Sequence, residues 1–444
     1  MGRRSRTNAL DVWMNGEKVG RWTVRSNGEN EFGYDEQWLG SERLRPISLS
    51  LPLRPASQPY RGAIVEAFFD NLLPDAKVVR DHMRRRLRAA SARPFDLLAE
   101  AGRDCAGALQ LLPPEQPPGG YDQIKGKPLS DKDVELHLGR LGGQPLGQLD
   151  DEEEFRISLA GAQEKTALLR HRGKWMKPVG ATPTTHILKL PIGVAPRGID
   201  LSTSVENEWI CAQILAAYGL PIAKTEIATF GTEKVLVVER FDRRLSDDKS
   251  WIIRLPQEDL CQATGTPPSA KYESDGGPGI RVAMDLLAAS TNGAVDQDTF
   301  FRAQVVNWLL CAIDGHAKNY SLFIEQGGGY RLTPLYDVLS AYPVLGKRAG
   351  KLSPKKVKLA MAVEGKNRHY HWDSICRRHW NETARRCGLG RDAEALLTDL
   401  LSKTGAVIDN VGAKLPKAFP ANVAEPILEG LKKASERLRD QSPA

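Results

Sequence analysis

The chain has 444 residues, 41% of them hydrophobic and 26% charged, with 62 Lys and Arg against 55 Asp and Glu for a formal net charge of +7. That length supports two or three domains with sizeable cores, and no apolar run approaches the roughly 18 residues needed to span a membrane. The modest positive charge excludes a strongly acidic or disordered chain and leaves room for a polyanionic neighbour.

The N-terminus, Met1 to Arg6, is basic but has no apolar stretch behind it, so it does not read as a signal peptide. Six scattered cysteines without a C-x-x-C pair read as reduced core residues, and the close pair His369 and His371 lacks the partners of a zinc site. These features predict a cytoplasmic protein. Asn15-Gly16 between two alternating apolar runs predicts a hairpin, with further strands at Glu31–Tyr34 and Ile47–Leu51. Helices are expected over Ile64–Leu73, Ala76–Ala90 and Arg93–Ala101, with Pro74-Asp75 as a break, followed by an apolar strand over Ala106–Leu112. The Pro- and Gly-rich run from Pro113 to Gly120 removes donors and helical dihedrals and reads as a linker, followed by a short helix over Asp131–Leu141 and an acidic run at Asp150–Glu154. The expected division is 1–112 for an N-terminal strand and helix domain, 113–150 for the linker and acidic segment, 151–241 for one lobe and 242–444 for a helical second lobe.

Phe155–Leu159 is a short strand entering the small-residue turn Ala160-Gly161-Ala162-Gln163-Glu164-Lys165, after which Thr166–Leu169 is apolar again. Residues without bulk let backbone N–H groups approach phosphate oxygens, although an ordinary hairpin has the same pattern. His186–Pro191 carries one lysine, Lys189, inside an apolar strand; a buried ammonium needs an anionic partner, and Glu208 on the helix Ser204–Tyr218 points inward with the apolar face, with Glu206 as the alternative. Val235–Val238 is a buried-type strand ending at Glu239, Arg240 and Phe241, where a chain passing between lobes can hydrogen-bond an adenine. The apolar run Val305–Ile313 then delivers Asp314-Gly315-His316-Ala317-Lys318-Asn319. In such a loop Asp314 can take a proton from an attacking hydroxyl and Asn319 can hold magnesium, although Asp and Asn also favour ordinary turns. A hairpin through Gly327–Gly329 would return Tyr336 and Asp337 to the same place, giving Asp337 as a second hard-oxygen ligand.

These parts, in this order, resemble the HipA-type serine/threonine kinase toxins of bacterial toxin–antitoxin modules. The resemblance rests on Ile157–Lys165, Glu239–Arg243, Arg254–Gln262, Lys271–Gly279, Asp314–Asn319 and Arg331–Asp337. It implies an α+β, two-lobed protein-kinase-like fold with an added N-terminal α/β domain and a mostly helical C-lobe. It implies further that Asp314 is the catalytic base, assisted by Lys189, and that Asn319 and Asp337 hold Mg2+. By the same resemblance ATP is surrounded by Ala160, Gly161, Ala162, Gln163, Glu164, Lys165, Lys189, Glu239, Arg240, Phe241, His316, Ala317, Lys318, Asn319, Tyr336 and Asp337, and Ser158 is the autophosphorylated serine. The implied partners are a small helix-turn-helix antitoxin, operator DNA reached through the antitoxin complex, and a protein substrate of the aminoacyl-tRNA synthetase class such as glutamyl-tRNA synthetase. No membrane is implied. The basic stretch Lys347–Lys358 could face an acidic substrate or tRNA, and Arg385 and Arg386 fall near where the family touches DNA. Two other readings are a small-molecule kinase of the aminoglycoside type and a DNA-bound corepressor with a vestigial site; a dead site has no physical reason to keep Lys189, Asp314, Asn319 and Asp337 together.

Overall fold

The computed structural model describes residues 8–141 and 163–442. The stretch Phe155–Ala162, with Ser158, Ala160, Gly161 and Ala162, lies outside the described residues, as does the acidic run.

The N-terminal domain is built on an antiparallel sheet of Tyr60–Arg61, Asn30–Tyr34, Glu17–Val24, Ala9–Met14 and Leu109–Leu112, in that spatial order. The first hairpin turns at Asn15 and Gly16 with φ of 46° and 88°, the left-handed pair that makes Asn-Gly the favoured two-residue connection. Helices Ala63–Asp70 and Pro94–Ala101 cover one face, and Trp22 stacks on Phe69 with ring centroids 4.1 Å apart. The segment Ile47–Leu51, expected as a strand, makes only an isolated bridge between Ser48 and Leu51. Its polar groups go instead to the neighbouring domain: Ser48 Oγ donates to Glu258 Oε2 at 2.5 Å and Leu49 N to Glu258 Oε1 at 2.8 Å. Buried backbone and carboxylate satisfy each other, so the segment is a strap between domains.

Among the described residues the next lobe carries a six-stranded antiparallel sheet, in the order Thr225–Phe230, Glu233–Glu239, His186–Lys189, Lys165–His171, Lys174–Pro178 and Gly126–Pro128. The last of these strands falls in the stretch expected to be linker. So does the helix Asp131–Gly139, started by a capping box between Ser130 and Asp133, which buries Val134 and Leu138 against Leu168, Leu188 and Val235. Residues 126–139 therefore belong to this lobe, and only 113–125 bridges it to the N-terminal domain without helix or strand.

The C-terminal lobe is mainly helical. Helix Gly293–Leu309 runs through its core, with Phe300, Phe301 and Trp308 buried, and helices Glu394–Lys414 and Ala421–Arg439 pack on it with Leu397, Leu400, Ile427 and Leu431 buried. Five of the six cysteines are buried and all six are free thiols, Cys376 being half-buried.

A buried ionic cluster joins the N-terminal domain to the connection between lobes. Asp104 receives Arg243 Nη2 at 2.9 Å, Arg254 Nε at 3.4 Å and Thr184 Oγ1 at 2.6 Å, while Arg240 donates to both oxygens of Asp242 at 3.0 and 2.8 Å. Burial opposes ionisation of Asp104, yet Arg243, Arg240 and Arg254 hold its carboxyl well below the usual range. Removing this carboxylate leaves Arg240, Arg243 and Arg254 with Asp242 as their counter-charge. Asp104→Ala should therefore lower stability by about 3–5 kcal/mol in urea unfolding of the full chain, the cost of an uncompensated buried charge.

Candidate functional site

Helix Gly293–Leu309 ends where Cys311 takes a positive φ of 49°, and the chain turns out into the loop 314–319. Asn319 closes this loop by donating its amide nitrogen to the Asp314 carbonyl at 2.8 Å, and the same nitrogen lies 3.5 Å from the Asp337 carbonyl. The hairpin Ser321–Ile324 with Tyr330–Leu332 accounts for that proximity, since Leu322 pairs with Leu332 and Thr333 N donates back to Ser321 O at 2.9 Å. Asp337 follows with φ of 61°, a left-handed conformation that costs a non-glycine residue about 1–3 kcal/mol and persists where its surroundings hold it.

Lys189 does much of the holding. Its strand is central in the sheet, paired with Lys165 on one side and Leu236 on the other. Its Nζ lies 2.6 Å from Glu208 Oε1 and 2.7 Å from Asp337 Oδ1. Glu206 meets Lys234 at 2.5 Å instead. One ammonium thus serves two carboxylates, and they respond unequally. Burial, with repulsion from Asp337, pushes Glu208 up to about 7 despite Lys189. Asp337 is held well below the carboxylate range because Lys189 and Lys165 outweigh its burial. Burial and the neighbouring Lys189 push Lys165 down to about 8.

Lys165, Lys189 and Asp337 line a cleft of about 1370 Å³, open mouth included, between the two lobes and the N-terminal domain. The lining joins Gln163, Lys165, Lys189, Glu239, Arg240, Phe241, Asp314, His316, Lys318, Asn319, Tyr336 and Asp337 in one space, with Ile187 and Val238 as apolar wall. Phe241 lies edge-on to Phe323 and tilted against Tyr336, with centroids 5.8 and 5.7 Å apart. Ala317 is the fully buried residue of the loop, and Tyr336 donates its hydroxyl to the Lys318 carbonyl at 2.9 Å. Gln163 donates to the Leu190 carbonyl, and the carboxylate of Glu164 faces His82 at 3.9 Å.

Two expected nucleotide contacts have their side chains committed elsewhere. The Arg240 guanidinium belongs to the buried cluster, and its backbone N–H donates to Thr185 O at 2.9 Å. Lys318 Nζ is bonded to Asp75 Oδ1 at 2.6 Å and to the Asn71 carbonyl at 3.2 Å. Three residues to which sequence reasoning gave no role also belong to the site. Asp75, read only as part of a helix break, faces Lys318 and Lys271, and Tyr272 donates its hydroxyl to Asp314 Oδ1 at 2.5 Å. The Lys271-Tyr272 pair stood inside a motif but carried no periodic or charge signal of its own.

The donor set suits a magnesium nucleotide. With the Asn319 nitrogen committed to backbone, its Oδ1 and the carboxylate of Asp337 are the hard oxygen donors of this corner. His316 Nδ1 is buried in the same cleft without a hydrogen-bond partner, a polar atom that a ligand would satisfy.

A family model described as the HipA-like C-terminal domain matches residues 157–408, and one described as the HipA N-terminal domain matches residues 10–112. The protein Y4mE of Sinorhizobium fredii is 35% identical over 410 residues, covering 90% of this chain and 91% of its own. The serine/threonine-protein kinase toxin HipA of Shewanella oneidensis is 28% identical over 318 residues, covering 69% of each chain. A solved Shewanella oneidensis complex of HipA, HipB and operator DNA matches with a TM-score of 0.77 at 24% identity, covering 98% of this chain and 100% of that one, and so shares the fold.

The shared ammonium generates a pH-dependent test. A carboxyl whose folded pKa lies above its ordinary 4.5 contributes stability that is present at low pH and lost as pH rises through the folded value, which for Glu208 is about 7. Without Lys189 that value rises further, so the loss continues at higher pH. Urea unfolding between about pH 6 and about pH 9 should show Lys189→Met falling progressively below the wild type, by about 3–5 kcal/mol at the upper end.

Proposed function

The chain belongs to the HipA family, and from that premise we propose that it is the toxin of a toxin–antitoxin module, acting as an ATP- and magnesium-dependent serine/threonine protein kinase. The observation that carries this reading is Lys189 bonded at once to Glu208 and Asp337, at 2.6 and 2.7 Å, in the cleft that also holds Asp314 and Asn319.

Asp314 accepts the proton of the attacking serine or threonine hydroxyl, at the carboxylate that Tyr272 now orients. Lys189 and Lys165 supply positive charge on the phosphate side of the cleft, and Glu208 keeps Lys189 from collapsing fully onto Asp337. Asn319 and Asp337 would hold magnesium, which when bound neutralises charge on the transferred phosphoryl group. Phe241, Ile187 and Val238 offer an adenine ring an apolar seat at the end of the strand Glu233–Glu239.

The same reading extends to partners. The Shewanella oneidensis complex contains HipB and operator DNA. For this chain we take the partners to be a small helix-turn-helix antitoxin and, through it, an operator. The substrate is an aminoacyl-tRNA synthetase such as glutamyl-tRNA synthetase, approached through the basic stretch Lys347–Lys358. No helix among the described residues is long and apolar enough to cross a membrane. Ser158, in the stretch ahead of Gln163, is the site of self-modification. A phosphate there adds nearly two negative charges beside donors that would otherwise cradle the nucleotide, and so switches the kinase off.

Asp314→Asn should bind ATP with an affinity like that of the wild type yet transfer phosphate to protein serine at least about 100-fold more slowly; transfer at the wild-type rate would remove Asp314 from the reaction. Expression of Asp337→Ala should leave growth normal where the wild type arrests it, and growth arrest by that variant would separate toxicity from phosphotransfer. The Ser158-phosphorylated form should bind ATP more weakly than the unmodified protein in a calorimetric titration.

A further inference from the structure

Three segments from two domains meet beside the loop 314–319. Asp75, between helices Ala63–Asp70 and Lys77–Leu87 of the N-terminal domain, places one carboxylate oxygen 2.6 Å from Lys318 Nζ and the other 2.8 Å from Lys271 Nζ. The side chain of Lys318 is 3% exposed and that of Asp75 14%. Lys318 also donates to the carbonyl of Asn71, whose own amide nitrogen donates to the carbonyls of Ala67 and Thr266. The N-terminal domain therefore supplies the counter-charge for two lysines in the wall of the cleft. Both lysines adjoin the reacting groups. Lys318 immediately precedes Asn319, and Lys271 immediately precedes Tyr272, whose hydroxyl donates to Asp314 Oδ1 at 2.5 Å. The Lys271 carbonyl further accepts from Ala317 N at 3.2 Å, stitching the segment of the tyrosine to the loop of the base.

We propose that Asp75 is a positioning residue for phosphotransfer: with one oxygen on Lys318 and the other on Lys271, it fixes both the loop that carries Asp314 and Asn319 and the tyrosine that orients the Asp314 carboxylate. The proposal rests on the kinase reading of the cleft and deepens it by giving the N-terminal domain a part in the reaction. Asp75 itself exchanges no proton with substrate. Its two lysines hold it ionised against the opposing effect of burial, so it acts as a fixed charge. Without it, Lys318 is a buried ammonium lacking its bonded carboxylate, left to the other acids of the cleft wall, Asp259, Asp314 and Asp337 among them. A shift of the loop by about 1 Å is enough to slow a positioned reaction about 100-fold.

The test uses the full chain. In ATP-free protein, Asp75→Asn should speed hydrogen exchange at the amides of 314–319 while leaving those of the strand Asn30–Tyr34 at the wild-type rate. In steady-state assays kcat should fall by about 10- to 100-fold with the KM for ATP changed by less than about threefold. Asp75→Glu should recover part of kcat, and adding Lys318→Met to Asp75→Asn should cost little more than Asp75→Asn alone. Lys271→Gln removes one of the two contacts, and a local rise in exchange with lowered kcat is expected of it even where Asp75→Asn does not fold. The proposal is overturned if folded Asp75→Asn keeps both kcat and loop exchange at wild-type values. It is overturned equally if exchange rises throughout the N-terminal domain, since Asp75 is then only a staple. A wild type that transfers no phosphate refutes the kinase reading instead, and the exchange comparison still reports whether Asp75 holds the loop.

Discussion

A single ammonium sits where two carboxylates need it. Lys189 Nζ bonds Glu208 and Asp337 across a buried corner, and neither acid has a second cation at bonding distance among the described residues. The sharing fixes three elements at once: the strand that carries the lysine, the helix Ser204–Ala217 that carries Glu208, and the end of the hairpin that carries Asp337. It also explains how Asp337 is kept in a left-handed conformation that its own backbone disfavours. The strain and the ion pair belong together, because relaxing the backbone would withdraw the carboxylate from the lysine.

The N-terminal domain is tied to this centre at three points. Asp104 is embedded among three arginines of the two lobes, Glu258 receives the strap at Ser48 and Leu49, and Asp75 reaches the loop 314–319. Burial pushes Glu258 up to about 8, against the hydrogen bonds from Ser48 and Leu49 that favour its ionised form. The remaining two are ionic, and each takes its carboxylate from one domain and its cations from the other.

The parts that sequence made legible share a property: each announces itself within a few residues. Asp314 and Asn319 sit in one loop after an apolar helix, Lys189 is a lone charge in an apolar strand, and Glu208 lies on the buried face of its own helix. What was illegible depends on partners far along the chain. Asp75 looks like a turn residue because its lysines are at 271 and 318; Arg240 looks like part of a nucleotide contact because Asp104 is in another domain. Ile47–Leu51 has the alternation of a strand, but its hydrogen bonds are drawn off by Glu258. The strand Gly126–Pro128 is too short and too polar to carry a periodic signal, and it exists because Lys174–Pro178 offers it an edge.

The Asp104 cluster has a consequence for how such chains can be inherited. The two family models, over 10–112 and 157–408, look like units that recombination could shuffle at the irregular stretch 113–125. Electrostatically they are one unit, because Arg240, Arg243 and Arg254 on the far side of that stretch were left with a counter-charge that the near side must bring. A foreign N-terminal partner without an acid at the place of Asp104 would leave three buried guanidinium groups with Asp242 as their counter-charge. The connecting stretch is therefore free to drift in length and composition, while the halves it joins must descend together.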